Sequence, residues 1–352
     1  MGVGPYYAMF PMKFAFDIVQ QYSQPGEWIL DPFAGRASSV YAAAAQERHG
    51  LGIEINPVGW LYGRVKLRPA SKADVLRRVD EIAEQAASFA DEAENLPEFF
   101  HWCFGEKALQ FLLSARYNLC WKNRIADATL MTIILIDLHG RLGDSFSNQM
   151  RQSKAMSPEY SVRWWKERDL HAPDIEPTEF LRAKLEWRYA RKPHKYSKSR
   201  VILGDSTTQL KKLKKQHRGR FSLLLTSPPY YEVTNYHYDQ WLRLWMLGES
   251  SYPNFSDKGT WQKKFESRTR YRQLLTTVFD DSKHLLSEEA TIYIRTDKRK
   301  FTHETTLEVM QDIFPSKRIN EIPRPLLKPS QTALYGDKSP KPGEVDIILT
   351  SS

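Results

Sequence analysis

The pattern that most restricts the fold of this chain is a strand, loop, helix and strand near the N-terminus. Trp28-Ile29-Leu30 predicts a short buried strand, which leads into a tight loop of small residues that begins at Asp31. The alanine-rich residues 38–48 predict a helix, and residues 50–56 predict a second strand that contains Glu54. Roughly twenty residues between loop and acid are typical of a βαβ nucleotide-binding unit, so the sequence predicts an α/β fold.

Another predicted strand, in the second half of the chain, ends abruptly. The apolar residues 223–225 are followed by Thr226-Ser227-Pro228-Pro229-Tyr230, and the prolines cannot continue a strand because they lack N–H groups. Open α/β sheets bind ligands at such carboxyl ends of strands. Ser227 and the Pro228 carbonyl offer hydrogen-bond acceptors and Tyr230 offers a flat face, a set suited to a planar base with an amino group. The same residues also fit an ordinary surface loop.

Three acidic side chains follow successive predicted strands. They are Asp31, Glu54 and Asp205, the last after the strand at residues 201–203. Because the carboxyl ends of parallel strands share one edge of a sheet, we expect the three carboxylates to line one crevice. Carboxylates suit a ligand with hydroxyls, an amine and a positive centre, which describes S-adenosylmethionine better than a nucleoside triphosphate. Taken singly, each acid also fits a helix cap or a solvated strand end.

The remaining pattern divides the chain into three stretches. Residues 1–63 carry the first part of the sheet, residues 64–200 form a mainly helical insert, and residues 201–352 carry the second part of the sheet. Beyond residue 63, the spacing of apolar residues predicts helices at 73–92, 106–117, 126–138, 210–215, 236–246, 271–286 and 305–313, and strands at 201–203, 221–225, 290–294, 317–322 and 345–350.

Composition narrows the classes of partner. A formal net charge of +9 and a pI near 9.3 favour a polyanion, and 10 tryptophans and 17 tyrosines suit stacking on bases. No apolar run approaches the roughly 20 residues of a membrane span, so no membrane partner is expected. The N-terminal residues show no secretory signal, and Cys103 and Cys120 alone give no zinc site, so we expect a cytoplasmic protein without a metal.

The motifs resemble those of the amino-group (exocyclic) DNA methyltransferases, specifically the type that methylates N4 of cytosine. Residues 31–35 resemble the family's cofactor loop, and residues 226–230 resemble its catalytic motif. A serine at the position of Ser227 usually accompanies cytosine N4 in that family, whereas Asp or Asn accompanies adenine N6. The resemblance covers residues 4–60 and 200–350, and it implies a Rossmann-like, seven-stranded, doubly wound sheet with an antiparallel last strand.

The resemblance also implies the roles of individual residues. Glu54 matches the acid that binds the ribose of S-adenosylmethionine, and Asp205 matches the acid near its adenine amino group. The implied catalytic residues are Ser227, Pro228, Pro229 and Tyr230, and the implied cofactor-binding residues are Phe10, Pro11, Asp31, Pro32, Phe33, Ala34, Gly35, Glu54, Asp205 and Thr226. The implied partners are double-stranded DNA, whose target base is flipped out, and a cognate restriction endonuclease.

The helical insert occupies the place of a target-recognition region in such enzymes. Its polar and basic side chains include types that read base edges or contact phosphates, although they also fit an ordinary polar loop. The candidate DNA-binding residues are Asn148, Gln149, Arg151, Gln152, Arg163, Trp164 and Lys166.

One departure from the family pattern concerns the cofactor loop. Ala37 and Ser38 stand where the family often has Gly and Thr, and alanine is strained if this position has a left-handed backbone. We therefore expect a slightly altered loop. The alternatives left open are an adenine-N6 DNA methyltransferase or an RNA methyltransferase of the same fold, and a non-catalytic DNA-binding protein with a decayed methyltransferase core.

Overall fold

A computed structural model describes residues 11–231, 236–253, 267–325 and 343–351, apart from the side chains of residues 236 and 237. The described residues divide into two compact units. The sheet unit comprises those of Met9–Ile55, Lys198–Thr234 and Lys264–Ser352, and the helical unit comprises Asn56–Ser197 and those of Asn235–Lys263. The helical unit therefore begins at Asn56 rather than at residue 64, and it also takes in residues beyond the predicted insert.

The described strands form a single mixed sheet in the order β3-β2-β1-β4-β5-β7-β6. Strands β1 to β5 run parallel to one another, and β7 runs antiparallel to both β5 and β6. The predicted doubly wound sheet with an antiparallel last strand is thus confirmed. The strands are β1 Trp28–Asp31, β2 His49–Glu54, β3 Arg200–Leu203, β4 Phe221–Thr226, β5 Leu286–Asp297, β6 Arg318–Arg324 and β7 Glu344–Thr350.

Helices cover both faces of the sheet, and none in the described ranges is long and apolar enough to span a bilayer. The α-helices of the two units are α1 Met12–Tyr22, α2 Ser38–Ala45, α3 Pro57–Leu67, α4 Lys72–Glu84, α5 Ala90–Glu94, α6 Glu98–Cys103, α7 Glu106–Asn118, α8 Ile125–Asp137, α9 Pro158–Lys166, α10 Pro177–Tyr189, α11 Ser206–His217, α12 Tyr236–Asp239, α13 Trp241–Met246, α14 Arg268–Lys283 and α15 Lys300–Ile313, and those that pack on the sheet are α1, α2, α11, α14 and α15.

The alternation of side chains along β4 explains why the sheet is buried on both faces. Leu224 packs with the buried residues of α11, α14 and α15, whereas Leu223 and Leu225 pack on the opposite face with those of α1 and α2. Successive residues of a strand point to opposite faces, so an uninterrupted apolar run is what a doubly covered strand requires.

Two glycines allow α2 and the loop before it to lie close to β2. A Cβ atom on Gly50 would lie 2.7 Å from the carbonyl oxygen of Val40, and one on Gly52 would lie 2.7 Å from the Cβ of Ala34. No larger residue fits here without moving the helix or the loop. The close approach places the loop against the carboxyl end of β2.

The helical unit breaks two of the predicted helices. A short 3₁₀ turn at Ala86–Phe89 separates α4 from α5, and it brings the Phe89 ring into a stack on Tyr117, with 5.6 Å between ring centres. The predicted helix at residues 236–246 is likewise two short helices, α12 and α13. Tertiary contacts, which a spacing pattern does not contain, set these interruptions.

Candidate active site

Asp31 lies at the end of β1 and is 2% exposed. Its Oδ1 accepts hydrogen bonds from the Thr226 hydroxyl at 2.7 Å and from the Phe33 N–H at 3.1 Å, and its Oδ2 accepts one from the Ser39 hydroxyl. Burial raises the pKa of Asp31 to about 6, although the three hydrogen bonds oppose this change. The Asp31 carboxylate therefore links the end of β1 to the end of β4, to the loop and to α2. These hydrogen bonds fix the backbone of the loop relative to the two strand ends.

Glu54, at the end of β2, holds the same loop from the other side. Its Oε2 accepts a hydrogen bond from the Gly35 N–H at 2.6 Å, and the Ala34 N–H donates to the Ile53 carbonyl at 3.0 Å. Gly35 has a φ of 53°, a left-handed conformation that glycine adopts at little cost. The predicted loop and the predicted ribose-binding acid are thus in direct contact.

Ala37 also lies in the left-handed region, with a φ of 60° and a ψ of 44°. This conformation costs an L-residue other than glycine about 1 kcal/mol or more. The Ala37 N–H donates to the Ala34 carbonyl at 2.6 Å, and Ala37 is fully buried, so the surrounding loop keeps it in place. The departure from the family pattern therefore falls at a strained position.

Asp205 follows β3 and caps the helix after it. Its Oδ1 accepts hydrogen bonds from the Thr207 N–H at 2.8 Å and from the Thr207 hydroxyl at 2.7 Å. The Gly204 N–H donates to the Glu54 carbonyl at 2.9 Å, and the Ser206 hydroxyl donates to the Pro32 carbonyl at 2.5 Å. Asp205 therefore caps this helix through its Oδ1, and the same contacts bring its strand end beside the loop.

The Ser-Pro-Pro-Tyr turn directly follows β4. Pro228 is buried, whereas Ser227, Pro229 and Tyr230 are each partly exposed. The Tyr230 hydroxyl donates a hydrogen bond to the Oε1 of Glu344 at 2.8 Å, and the Ser227 Oγ lies 3.5 Å from the Tyr230 Oη. The turn thus partly exposes three of the four predicted catalytic residues at the edge that carries Asp31 and Glu54.

Beside this turn, β5, β6 and β7 share a buried ion-pair network. Asp346 is fully buried and accepts hydrogen bonds from Arg295 at 2.7 and 2.9 Å, from the Tyr293 hydroxyl at 2.7 Å and from Arg324 at 2.7 Å. Burial opposes ionisation of this carboxyl, but the hydrogen bonds outweigh it and lower the pKa of Asp346. The Arg295 guanidinium also lies 3.5 Å from the centre of the Phe14 ring.

The predicted N-terminal cofactor residues are only partly described. Phe10 lies outside the described residues, and Pro11 is exposed immediately before α1. Phe14, in the first turn of α1, packs on Arg295, so Pro11 lies toward the carboxyl end of β5.

Two of the predicted base-reading residues, Asn148 and Gln149, make hydrogen bonds inside the helical unit. Asn148 is fully buried, and its amide donates to the carbonyls of Trp102 at 3.1 Å and Leu170 at 3.0 Å. The Gln149 side chain accepts a hydrogen bond from the Leu142 N–H at 3.0 Å. These amides hold the polar segment inside the unit, so we assign Asn148 to the fold and not to a surface that contacts DNA.

Arg151 and Gln152, in the same segment, accept hydrogen bonds through their backbone carbonyls. The Arg151 carbonyl accepts a hydrogen bond from the Nδ1 of His139 at 2.8 Å, and the Gln152 carbonyl accepts one from the fully buried Arg243 at 2.7 Å. Burial, together with the charge of Arg243, lowers the pKa of His139 well below its ordinary value. Of the four polar candidates in this segment, only Gln152 has an exposed side chain.

Helix α9 carries the other three candidates for DNA contact. Arg163 and Lys166 are exposed, but they pair with Glu167 at 4.0 Å and with Glu98 at 2.5 Å. Both basic residues line a groove of about 410 Å³ that also contains three glutamates, so its charge is mixed. Trp164 is partly buried beneath the guanidinium of Arg168, which lies 4.5 Å from its ring centre.

Two residues of the site were missed in the sequence. Ser39 was not singled out, because nothing in the spacing shows that a hydroxyl in the first turn of α2 reaches back to Asp31. Glu344 was missed because its contact with Tyr230 depends on the antiparallel register that pairs it with Asp297. The only available signal is an acid immediately before the last predicted strand of the chain.

The described ranges of the chain contain no candidate metal site. Within them, no group of three or more His, Cys, Asp or Glu side chains could hold an ion.

Comparison with known proteins gives matches that each cover a small part of this chain. Residues 2–58 match a family model described as DNA methylase. A stretch of 49 residues is 37% identical to the type II methyltransferase M.MthZI of Methanothermobacter thermautotrophicus, and it covers 14% of this chain and 14% of that protein.

Among solved structures, the chain is similar to methyltransferases, one of which is named for rRNA. The rRNA methyltransferase aviRa of Streptomyces viridochromogenes is 12% identical with a TM-score of 0.35, over 99% of this chain and 87% of that one. A TehB-like SAM-dependent methyltransferase of Corynebacterium glutamicum is 8% identical with a TM-score of 0.35, over 96% and 87% of the two chains. Since these scores lie below 0.5, the fold assignment rests on the strand order itself. Residues 2–58 are thus similar to the DNA methylases, and the strand order shows the α/β fold.

Proposed function

We propose that this chain is a DNA methyltransferase that transfers a methyl group from S-adenosylmethionine to N4 of cytosine. The observation that carries the proposal is the hydrogen bond from Thr226 to Asp31. Thr226 immediately precedes the Ser-Pro-Pro-Tyr turn, and Asp31 begins the loop that Glu54 holds. This bond therefore fixes the base-binding turn beside the cofactor loop, as transfer between two bound ligands requires.

The residues at this edge fit the proposed cofactor. Glu54 and Asp205 place carboxylates at the ends of adjacent strands, where they suit ribose hydroxyls and an adenine amino group. Gly35 allows the backbone of the loop to approach a ligand closely. The bound cofactor supplies an electrophilic methyl group on a sulfonium centre.

The substrate base is held by the turn after β4. Extruding the target cytosine from the duplex costs a few kcal/mol, and stacking on Tyr230 offsets part of that cost. The Ser227 Oγ and the Pro228 carbonyl accept hydrogen bonds from the amino group, which draws the nitrogen toward a tetrahedral form. The nitrogen lone pair would then attack the methyl group that the cofactor supplies when bound, with the thioether as the leaving group, and the methylated amine would release its extra proton to water. Positioning and electrostatics provide the rate enhancement, without a covalent enzyme intermediate.

We further propose double-stranded DNA as the substrate and a cytoplasmic, nucleoid-associated location. The net charge of +9 supports a polyanionic partner, and Gln152, Arg163 and Lys166 have exposed side chains in the helical unit, the proposed target-recognition region. The match to a type II methyltransferase supports a role in restriction–modification or phage defence, with a cognate restriction endonuclease as partner.

Nucleoside analysis of DNA from a methylation-deficient host that expresses the chain tests this function. We expect N4-methylcytosine with the wild-type protein and much less of it with Ser227→Ala. N6-methyladenine in its place would assign the chain to the adenine enzymes, and methylated nucleosides in RNA alone would make it an RNA methyltransferase. If there is no methylation and calorimetry with S-adenosylmethionine gives no heat, the chain is a non-catalytic binding protein.

A further inference from the structure

Three oxygen atoms form a line from the base-binding turn to β7. The Ser227 Oγ lies 3.5 Å from the Tyr230 Oη, and the Tyr230 Oη lies 2.8 Å from the Oε1 of Glu344. The second contact is a short hydrogen bond, and the first is at the outer limit for one. Contacts of catalytic groups are often long in a free enzyme and shorten when the substrate binds.

The chemistry of the three groups fixes the direction of this line. An ionised carboxylate only accepts hydrogen bonds, so Tyr230 donates its single O–H to Glu344. Toward Ser227, the Tyr230 oxygen then acts as an acceptor, so Ser227 donates its own hydrogen to it. With its hydrogen directed to Tyr230, the Ser227 Oγ presents lone pairs to a substrate.

We infer that Glu344 is a positioning residue that acts through Tyr230 and makes Ser227 a hydrogen-bond acceptor. The inference rests on the proposed function, in which Ser227 must accept a hydrogen bond from an amino group. If Ser227 donated instead, it would favour the carbonyl oxygen that uracil and thymine carry in place of the amino group. Glu344 would thus contribute to the choice of an amino-bearing base.

The surroundings of Glu344 are suited to this role. Its Oε2 lies 3.7 Å from the Nε of Arg295, which is itself held by two hydrogen bonds to Asp346. The Glu344 side chain is 39% exposed, so its carboxylate keeps part of its hydration beside the Arg295 guanidinium. Its position is fixed by the pairing of Glu344 with Asp297 at the carboxyl end of β5.

A double-mutant cycle of Glu344→Gln and Tyr230→Phe tests the inference. Glutamine keeps the shape but can donate as well as accept, and phenylalanine keeps the stacking ring but removes the hydroxyl. We expect each variant to lower kcat about 10-fold, with little change in KM for DNA or in cofactor affinity. The double variant should be no slower than Tyr230→Phe alone, because Glu344 acts only through the hydroxyl.

The matched control is Glu288→Gln, the same change on an exposed residue near the opposite end of β5. It should leave kcat unchanged. A Glu344→Gln variant as active as this control, or a double variant whose loss equals the product of the single losses, would overturn the inference. If the wild-type protein transfers no methyl group, the proposed function fails and takes the inference with it.

Denaturant unfolding of wild type, the two single variants and the double variant, without substrate, tests the contact between Tyr230 and Glu344 independently of activity. Non-additive changes in the denaturant midpoint are expected if Tyr230 and Glu344 interact directly. Additive changes would show that the contact itself is absent, whatever the activity.

Discussion

The two units of this protein each bury a cluster of polar side chains, and the clusters serve different purposes. In the sheet unit, buried Asp31 binds Thr226, and the next residue, Ser227, is partly exposed at a strand end. In the helical unit, Asn148 and Arg243 bind backbone carbonyls within the unit. Buried hydrogen bonds therefore occur in both units. Only in the sheet unit do they support a partly exposed turn, and that turn distinguishes the candidate site.

The largest expected effect belongs to the exposed turn. Ser227→Ala should lower methyl transfer about 10²- to 10³-fold because the amino group loses a positioned acceptor, while the dissociation constant of S-adenosylmethionine stays nearly unchanged. Single-turnover kinetics and calorimetry measure the two quantities separately. Ser197→Ala, at an exposed residue of the helical unit, is the control and should change neither. Equal losses of turnover and cofactor affinity in Ser227→Ala would contradict the assigned role.

Burial of Asp31 should make the free energy of unfolding depend on pH. The pKa of Asp31 rises from 3.8 to about 6 on folding, so the folded state holds the proton more tightly between these values. The stability that this carboxyl contributes is complete below about pH 4 and is lost as the pH rises through 6, a change of about 3 kcal/mol. Asp31→Asn carries no such titration. As the pH rises from about 4 to about 7, the stability of Asp31→Asn relative to wild type should therefore increase by about 3 kcal/mol in urea unfolding. A difference that is constant with pH would contradict the shift.

The buried amide of the helical unit should affect stability alone. Asn148→Ala leaves the carbonyls of Trp102 and Leu170 without their donor, which should cost about 2 kcal/mol in urea unfolding. Gln152→Ala, on an exposed side chain of the same segment, should stay within about 0.5 kcal/mol of wild type. If Asn148→Ala instead kept full stability and lost DNA affinity, the original assignment of Asn148 to base reading would stand.

The sequence predicts the sheet well because its signals are local. The apolar run at residues 223–225 and the prolines after it place β4 and its end, and the spacing from the loop to Glu54 places β2. Partners that lie far apart in sequence could not be foreseen. Thr226 meets Asp31 across a separation of 195 residues, and Glu344 meets Tyr230 across 114.

Burial of polar segments is the other quantity that local patterns do not contain. Residues 145–148 look like a surface loop in sequence, yet Phe146 and Asn148 are fully buried because hydrogen bonds to Trp102 and Leu170 replace those to water. Strand β5 also begins at Leu286 rather than residue 290, since its first backbone groups pair although Glu288 and Glu289 are exposed.

The smallest effect is expected at the strained loop position. Ala37→Gly relieves a left-handed alanine worth about 1 kcal/mol but removes a buried methyl worth about 0.8 kcal/mol, so stability should change by less than about 0.5 kcal/mol. Ala43→Gly makes the same change at a buried helical position of α2 and should cost about 1.8 kcal/mol. Equal losses at the two positions in thermal unfolding would show that Ala37 is not strained.

Hydrogen–deuterium exchange with and without S-adenosylmethionine tests most directly which cluster supports the ligand site. We expect the cofactor to slow exchange in peptides that cover residues 31–37 and 204–207 and to leave peptides that cover residues 145–152 unchanged. Slowed exchange at residues 145–152 alone, or no change in any peptide, would contradict it.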